Sequence, residues 1–375
     1  MPRLSIRAVF MRGGTSKAII FRTTDLPAER ASWGPIFLAA MGSPDPNGRQ
    51  LDGMGGGVSS LSKVCVVGPP SRDDADVDYT FVQIGVRDDL VDLGGNCGNM
   101  SSAIGPYAVE EGLVPAPQGD EAVVRIHNTN TGKIIVARFP VEDGLPASDG
   151  AMTLDGVAGT AAPIKLEFLD PGGAKTGKLL PTGNPSDLFE VAGLGTVRAS
   201  CVDAGNPAVF VAASDLGLTG GELPDALEAD AVFLDRMEQL RRAASVAMGI
   251  APDAAAAAKL QSIPKVGIVA APRAGPTLSG ATLAPSDMDI LVRMISVGQP
   301  HRAVPITGAV CLAVAARVPG TIPHRLCAAA EGPIRIGHAS GTILVDAAVT
   351  DGRAHYGAVF RSARRLFEGN VVYRL

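Results

Sequence analysis

Short apolar runs separated by glycine-rich and polar turns recur along the chain. Runs of β-branched residues bounded by turn formers predict strands at 8–10, 18–21, 64–67, 79–86, 123–126 and 134–139. The second half repeats the pattern at 197–202, 209–212, 265–271 and 289–296. Three segments carry helical patterning instead. Residues 100–114 have an unusual small-residue face, and 310–317 are apolar throughout. Residues 223–248 are amphipathic, with Leu227, Val232, Leu234, Met237, Leu240 and Ala244 on the predicted apolar side. The stretch 163–185 is rich in Gly, Pro and Lys and reads as a loop and boundary, whereas 359–375 carries no readable motif.

The two halves echo each other. Each opens with a strand, a turn and a strand, around Met11–Lys17 in one and Asp203–Ala208 in the other. Each later has a strand, a polar turn and a small-residue helix, opened by Cys97-Gly98-Asn99 and by Thr307-Gly308-Ala309. The duplication predicts two similar domains, 1–187 and 188–375.

Composition agrees with a strand-rich fold. Glycine supplies 45 of 375 residues and aromatics only 4%, which suits many tight turns. A formal net charge of −5 excludes a broad basic face for nucleic acid, so an anionic ligand would need a local pocket. No apolar run is long enough to span a membrane, and no secretory leader is expected. Cys65, Cys97, Cys201, Cys311 and Cys327 are odd in number and scattered, which points to a reducing cytoplasm.

The chemical interest centres on Gly94-Gly95-Asn96-Cys97-Gly98-Asn99. A thiol at a helix start sits among unpaired backbone N–H groups and the positive dipole end. Both favour its thiolate and offer a cradle for a carboxylate. Gly172-Gly173-Ala174-Lys175-Thr176-Gly177-Lys178-Leu179 nearly spells a phosphate-binding loop, but Leu179 stands where the Mg²⁺-binding hydroxyl belongs. It reads as a basic loop. The five histidines show no metal-ligand spacing, and His301 is the one read as functional.

A series of motifs in order resembles the PrpF family. They are Met11-Arg12-Gly13-Gly14-Thr15-Ser16-Lys17, the Asp52–Lys63 segment ending in Ser62-Lys63, and Asn96-Cys97-Gly98-Asn99. His127-Asn128-Thr129-Asn130-Thr131-Gly132-Lys133, Gly177-Lys178-Leu179-Leu180-Pro181-Thr182-Gly183, and His301-Arg302-Ala303 with Thr307-Gly308-Ala309 complete it. The resemblance implies an α/β (α+β) chain of two diaminopimelate-epimerase-like domains. Each would be a β-barrel-like sheet wrapped around a central helix, with the active site in the cleft between them. It also implies an isomerase that moves protons on small unsaturated di- or tricarboxylates without metal or organic cofactor. The expected substrate is 4-oxalomesaconate, from aromatic-compound degradation. The alternatives are 2-methylaconitate and methylitaconate, then an amino-acid epimerase or a non-catalytic carboxylate-binding protein. A soluble homo-oligomer, a dimer, is expected, with neither nucleic acid nor membrane as partner.

Epimerase relatives use one cysteine from each half, but Thr307 stands at the second position here. In the isomerase members a lysine matching Lys63 partners the cysteine. Lys63 and Cys97 are therefore the expected catalytic pair, with Lys63 favoured as base. Backbone N–H groups of Gly98, Asn99, Gly308 and Ala309 are expected to receive substrate carboxylates. Thr15, Ser16, Ser59, Ser60, Asn96, Asn99, Arg293, His301 and Thr307 are the expected side-chain donors.

Overall fold

The first hairpin pairs β1 (Leu4–Gly13) with β2 (Ser16–Arg22), and Gly14 closes it at a φ of 51°. A Cβ there would also lie 2.3 Å from the Asn99 side-chain oxygen, so the turn needs glycine on two counts. This computed structural model describes residues 4–94 and 96–374, which leaves Gly95 outside the described residues. The chain forms two compact units, Met1–Glu167 with Phe360–Leu375 and Phe168–Val359. The units thus part at 167/168, not at the expected 187/188.

In the first unit, a helix α1 (Trp33–Met41) precedes β3 (Lys63–Gly68), which lies parallel to β2. Antiparallel β4 (Val77–Ile84) follows, then a short β5 (Val91–Asp92) and helix α2 (Gly98–Glu110). β6 (Glu121–Asn128) runs parallel to β4 and pairs antiparallel with β7 (Lys133–Glu142). Strand alternation sorts the side chains. Val64, Val66, Val82 and Ile84 join Ile36, Phe37 and Met41 in one core. Lys63, Cys65, Tyr79, Phe81 and Gln83 therefore line the opposite face, where α2 packs.

Helix α2 is enclosed: from Met100 to Val109 every residue is buried. Its small residues permit this. A Cβ on Gly105 would come within 2.8 Å of Phe139 and 2.9 Å of Ala137. The helix ends at Glu111, whose side chain is 3% exposed and meets Arg7, Arg22 and Arg365. Burial alone would raise that carboxyl, but hydrogen bonds from Arg7, Arg365 and Arg22 overcome it and bring it down to about 2. Its contribution is full above the ordinary carboxyl range and is lost as pH falls toward 2. Glu111→Gln is expected to cost about 2–3 kcal/mol at pH 7. Urea titrations at pH 7 and pH 4 should show that cost shrinking with acid; equal stability of variant and wild type would refute the role.

The second unit repeats the order of the first. β8 (Gly195–Ala204) and β9 (Asn206–Ala212) form the hairpin, with Gly205 at a φ of 69°. After the short helix Pro224–Glu228 and α3 (Ala231–Ala247), β10 (Lys265–Ala270) lies parallel to β9. Antiparallel β11 (Ile290–Ser296), short β12 (Gln299–Pro300) and helix α4 (Ile306–Ala316) follow. β13 (Ile334–His338) runs parallel to β11 and pairs with β14 (Gly341–Thr350). The sequence of parallel and antiparallel pairings matches the first unit step for step.

Three expectations change. The 223–248 segment is two helices, because Asp230 caps a fresh start through its bond to the Phe233 N–H. The restart rotates the apolar face: Val232 is 61% exposed, and Phe233 enters the core instead. Residues 163–185 contain the strand Ile164–Leu169. The motif-poor tail forms β15 (Ala363–Tyr373), which runs antiparallel along β1 and belongs to the first unit.

Candidate active site

Lys63 opens β3 and is 8% exposed. Its Nζ donates to Gln83 Oε1 at 2.6 Å, directly across the β3–β4 register, and lies 5.0 Å from the centre of the Phe81 ring. No carboxylate pairs with it among the described residues. Gln83 is fixed from its other end, where Nε2 donates to the carbonyls of Ser59 and Ser62. The glutamine thus locks the lysine to the 3₁₀ turn Ser59–Leu61, which carries Ser59 and Ser60.

Behind this turn, Gln50 is 1% exposed and accepts from Gly57 N–H and Ser62 Oγ. Asp45 holds the loop's other end by accepting N–H bonds from Asn47, Arg49 and Gln50. A segment without regular structure is therefore internally braced right up to Lys63.

Cys97 is the N-cap residue of α2, half-buried, and its carbonyl accepts the Ser101 N–H. Asn96 Oδ1 accepts from Ser101 Oγ and from Asn128 Nδ2. Asn130, from the same β6–β7 turn, bonds both backbone groups of Phe81 and the carbonyl of Leu93. The 127–133 motif is thus a bracket joining the Cys97 approach to β4.

On the Lys63 face of β3 lies Cys65, fully buried, with its thiol 3.9 Å from the Tyr79 hydroxyl. Burial pushes the Cys65 thiol up; Cys97 adds to the rise, while Tyr79 and Lys63 oppose it.

The hairpin turn meets the same helix start. Asn99 Nδ2 donates to Thr15 Oγ1 at 3.1 Å, and Arg361 Nε donates to Asn99 Oδ1 at 3.1 Å. Thr15 is exposed and Ser16 is buried. Arg361 is 7% exposed, has no carboxylate partner among the described residues, and is brought down to about 10 by burial. The sequence did not flag it, because its role depends on a return of the chain across more than 250 positions. Gln83 was missed for a related reason: only the register brings it to Lys63.

In the second unit, Thr307 is exposed at the second position of α4, and Gly308 and Ala309 are buried beside it. Cys97 caps its helix from one residue before the start, so the two do not hold equal helical positions. The cysteine of α4, Cys311, is buried inside the helix, where burial drives its thiol up to about 12.

Arg293 stands opposite Ile268 in the β10–β11 register, on the face toward α3. Its guanidinium donates to the carbonyls of Glu222 and Val292. It thus turns away from the α4 face and is engaged in holding backbone.

The phosphate-loop lookalike is also occupied by its own protein. Asp203 Oδ2 accepts from the N–H groups of Lys175 and Thr176 and from Thr176 Oγ1, at 2.6–2.9 Å. Among the described residues no cluster of three His, Cys, Asp or Glu side chains could hold a metal ion.

Comparisons with known proteins identify the family of the chain. The family model described as "PrpF protein" covers residues 3–374. The chain is 39% identical to the 2-methyl-aconitate isomerase of Shewanella oneidensis, over 99% of this chain and 97% of that one. It is 37% identical to the 4-oxalomesaconate tautomerase of Pseudomonas putida, over 99% and 97%. The crystal structure of a methylitaconate-delta-isomerase superposes with a TM-score of 0.93 at 39% identity, covering 100% of this chain and 96% of that one.

Proposed function

We propose that this chain, which belongs to the PrpF family, shifts a double bond in an unsaturated di- or tricarboxylic acid by 1,3-allylic proton transfer between Lys63 and Cys97. That it is an isomerase follows from its relatives; the step and the residues are our reading. One observation carries it. A buried lysine that no carboxylate among the described residues neutralises opens β3, and a cysteine caps α2, the helix that packs against that strand.

In this reading a substrate carboxylate rests on the free N–H groups at the start of α2, near Gly98 and Asn99. Lys63 removes a proton from the carbon next to the double bond. The electron pair spreads over three carbons into the conjugated carboxylate or ketone, and Cys97 returns a proton at the far carbon. Lys63 gains the proton that the substrate loses, Cys97 gives its own proton to the far carbon, and exchange with solvent resets both. Electrons stay within the substrate throughout.

The relatives named for 2-methylaconitate, methylitaconate and 4-oxalomesaconate resemble this chain to nearly the same degree. 4-Oxalomesaconate is the first acid to assay, followed by the other two. Incubation in D₂O followed by proton NMR should show double-bond migration with deuterium entering the newly saturated carbon. Failure to exchange or isomerise any of the three would reject the proposal. Inversion of an amino acid would favour an epimerase, against which the absence of a thiol at the start of α4 already argues.

A further inference from the structure

Gln83 holds the Lys63 amine with an amide that cannot turn over. Its Nε2 donates to the carbonyls of Ser59 and Ser62 at 3.0 Å and to that of Ile84 at 3.3 Å. Carbonyls only accept, so the N–H end must face them and Oε1 must face the lysine. A reversed amide would set an oxygen against carbonyl oxygens. Lys63 therefore meets a fixed acceptor, 2.6 Å from Nζ.

The chemistry of that acceptor matters. A carboxylate there would pair with an ammonium and hold its proton. An amide fixes the direction of one N–H without adding a counter-charge. The neighbouring elements add none beside the amine. Ala18 lies opposite in β2, Cys65 follows on β3, and Phe81 and Tyr79 follow Gln83 along β4 on the same face. Cys97 caps α2. Asp92 stands opposite Gln83 in β5, but it is exposed and accepts the Gly94 N–H. The second unit repeats the placement. Lys265 begins β10 opposite Ala208 of β9, as Lys63 begins β3 opposite Ala18 of β2, and its Nζ donates to Ser296 Oγ at 3.2 Å. The partner is again uncharged, but a single hydroxyl replaces the two-ended amide.

We infer that Gln83 is a positioning residue for proton transfer: its amide aims the Lys63 amine through an uncharged acceptor and leaves the amine free to take and give a proton. The inference rests on the proposed role of Lys63 as base. It gives position 83 a requirement that shape alone does not, an acceptor of this reach that is not a carboxylate.

Two variants separate charge from shape. Gln83→Leu and Gln83→Glu both lose the donors to Ser59 and Ser62, so any loosening of that turn is common to them. Gln83→Leu should lower kcat about tenfold and change KM by less than about threefold. Gln83→Glu should lower kcat by at least about tenfold more, because a carboxylate beside the amine holds its proton. A merely structural role gives the reverse order, since glutamate is the closer match in shape. NMR of full-length protein carrying ¹³C at lysine Cε reads the amine without turnover, the Lys63 signal being the one lost in Lys63→Met. Its pH midpoint should lie at least about 1 higher in Gln83→Glu than in Gln83→Leu. Equal midpoints, or Gln83→Leu as slow as Gln83→Glu, overturn the inference, while an inactive Lys63→Met keeps the lysine as base. Activity retained in Lys63→Met rejects the base and the inference with it. If Gln83→Glu melts early, Gln83→Leu decides: a loss of about tenfold in kcat at unchanged KM supports the inference, and wild-type kcat overturns it.

Discussion

Lys63→Met is expected to lower kcat by roughly 10³-fold, within the range that a positioned acid or base contributes. Methionine keeps the length and apolar stem of the side chain, so its packing over Phe81 survives. What disappears is the amine and its bond to Gln83. Gln83 still donates to Ser59 and Ser62, so the turn ahead of β3 should keep its place. The stability cost is therefore that of one hydrogen bond, about 1 kcal/mol. Proton NMR in D₂O reads both isomerisation and exchange, and both should vanish together. A folded Lys63→Met protein retaining more than a tenth of wild-type turnover would show that the base lies elsewhere.

Cys97→Ser is expected to slow product formation by about 10²-fold, with a different isotopic signature. Serine fits the N-cap position at least as well as cysteine, so α2 should be undisturbed. Its hydroxyl is a far weaker acid than a thiol and returns the proton poorly. Lys63 can still abstract, so substrate should continue to exchange its allylic proton with solvent while product lags. The double variant should be no slower than Lys63→Met, because the two groups serve one path. Equal loss of substrate exchange and product formation in Cys97→Ser would instead make the cysteine the abstracting group.

Much of the architecture was legible because it follows from period and punctuation. The strands around Gly14 and Gly205 announce themselves, since β-branched runs flank turns that need positive φ. The duplication could be read from order alone. Its most informative consequence could not: Lys265 became the counterpart of Lys63 only through the strand registers opposite Ala18 and Ala208. Helix 223–248 was misread at its start, because a cap at Asp230 changes which residues face inward. Arg293 looked like a carboxylate fork, but its strand position sends it to the α3 face and its donors go to backbone carbonyls. Local chemistry suggests which residue types could act. Register and long-range return decide which of them meet.

The strand β15 gives the first unit a peculiar timetable. Its partner β1 is made before the second unit, yet Arg361 and residues 363–373 are made after the whole of it. During translation the α2 start therefore waits, with Asn99 lacking its arginine and one flank of β1 bare, while the second unit has everything it needs. The second unit, a continuous stretch from Phe168 to Val359, is complete in sequence before the first. The first unit, with the start of α2 in it, is complete only once residues 363–373 have been made.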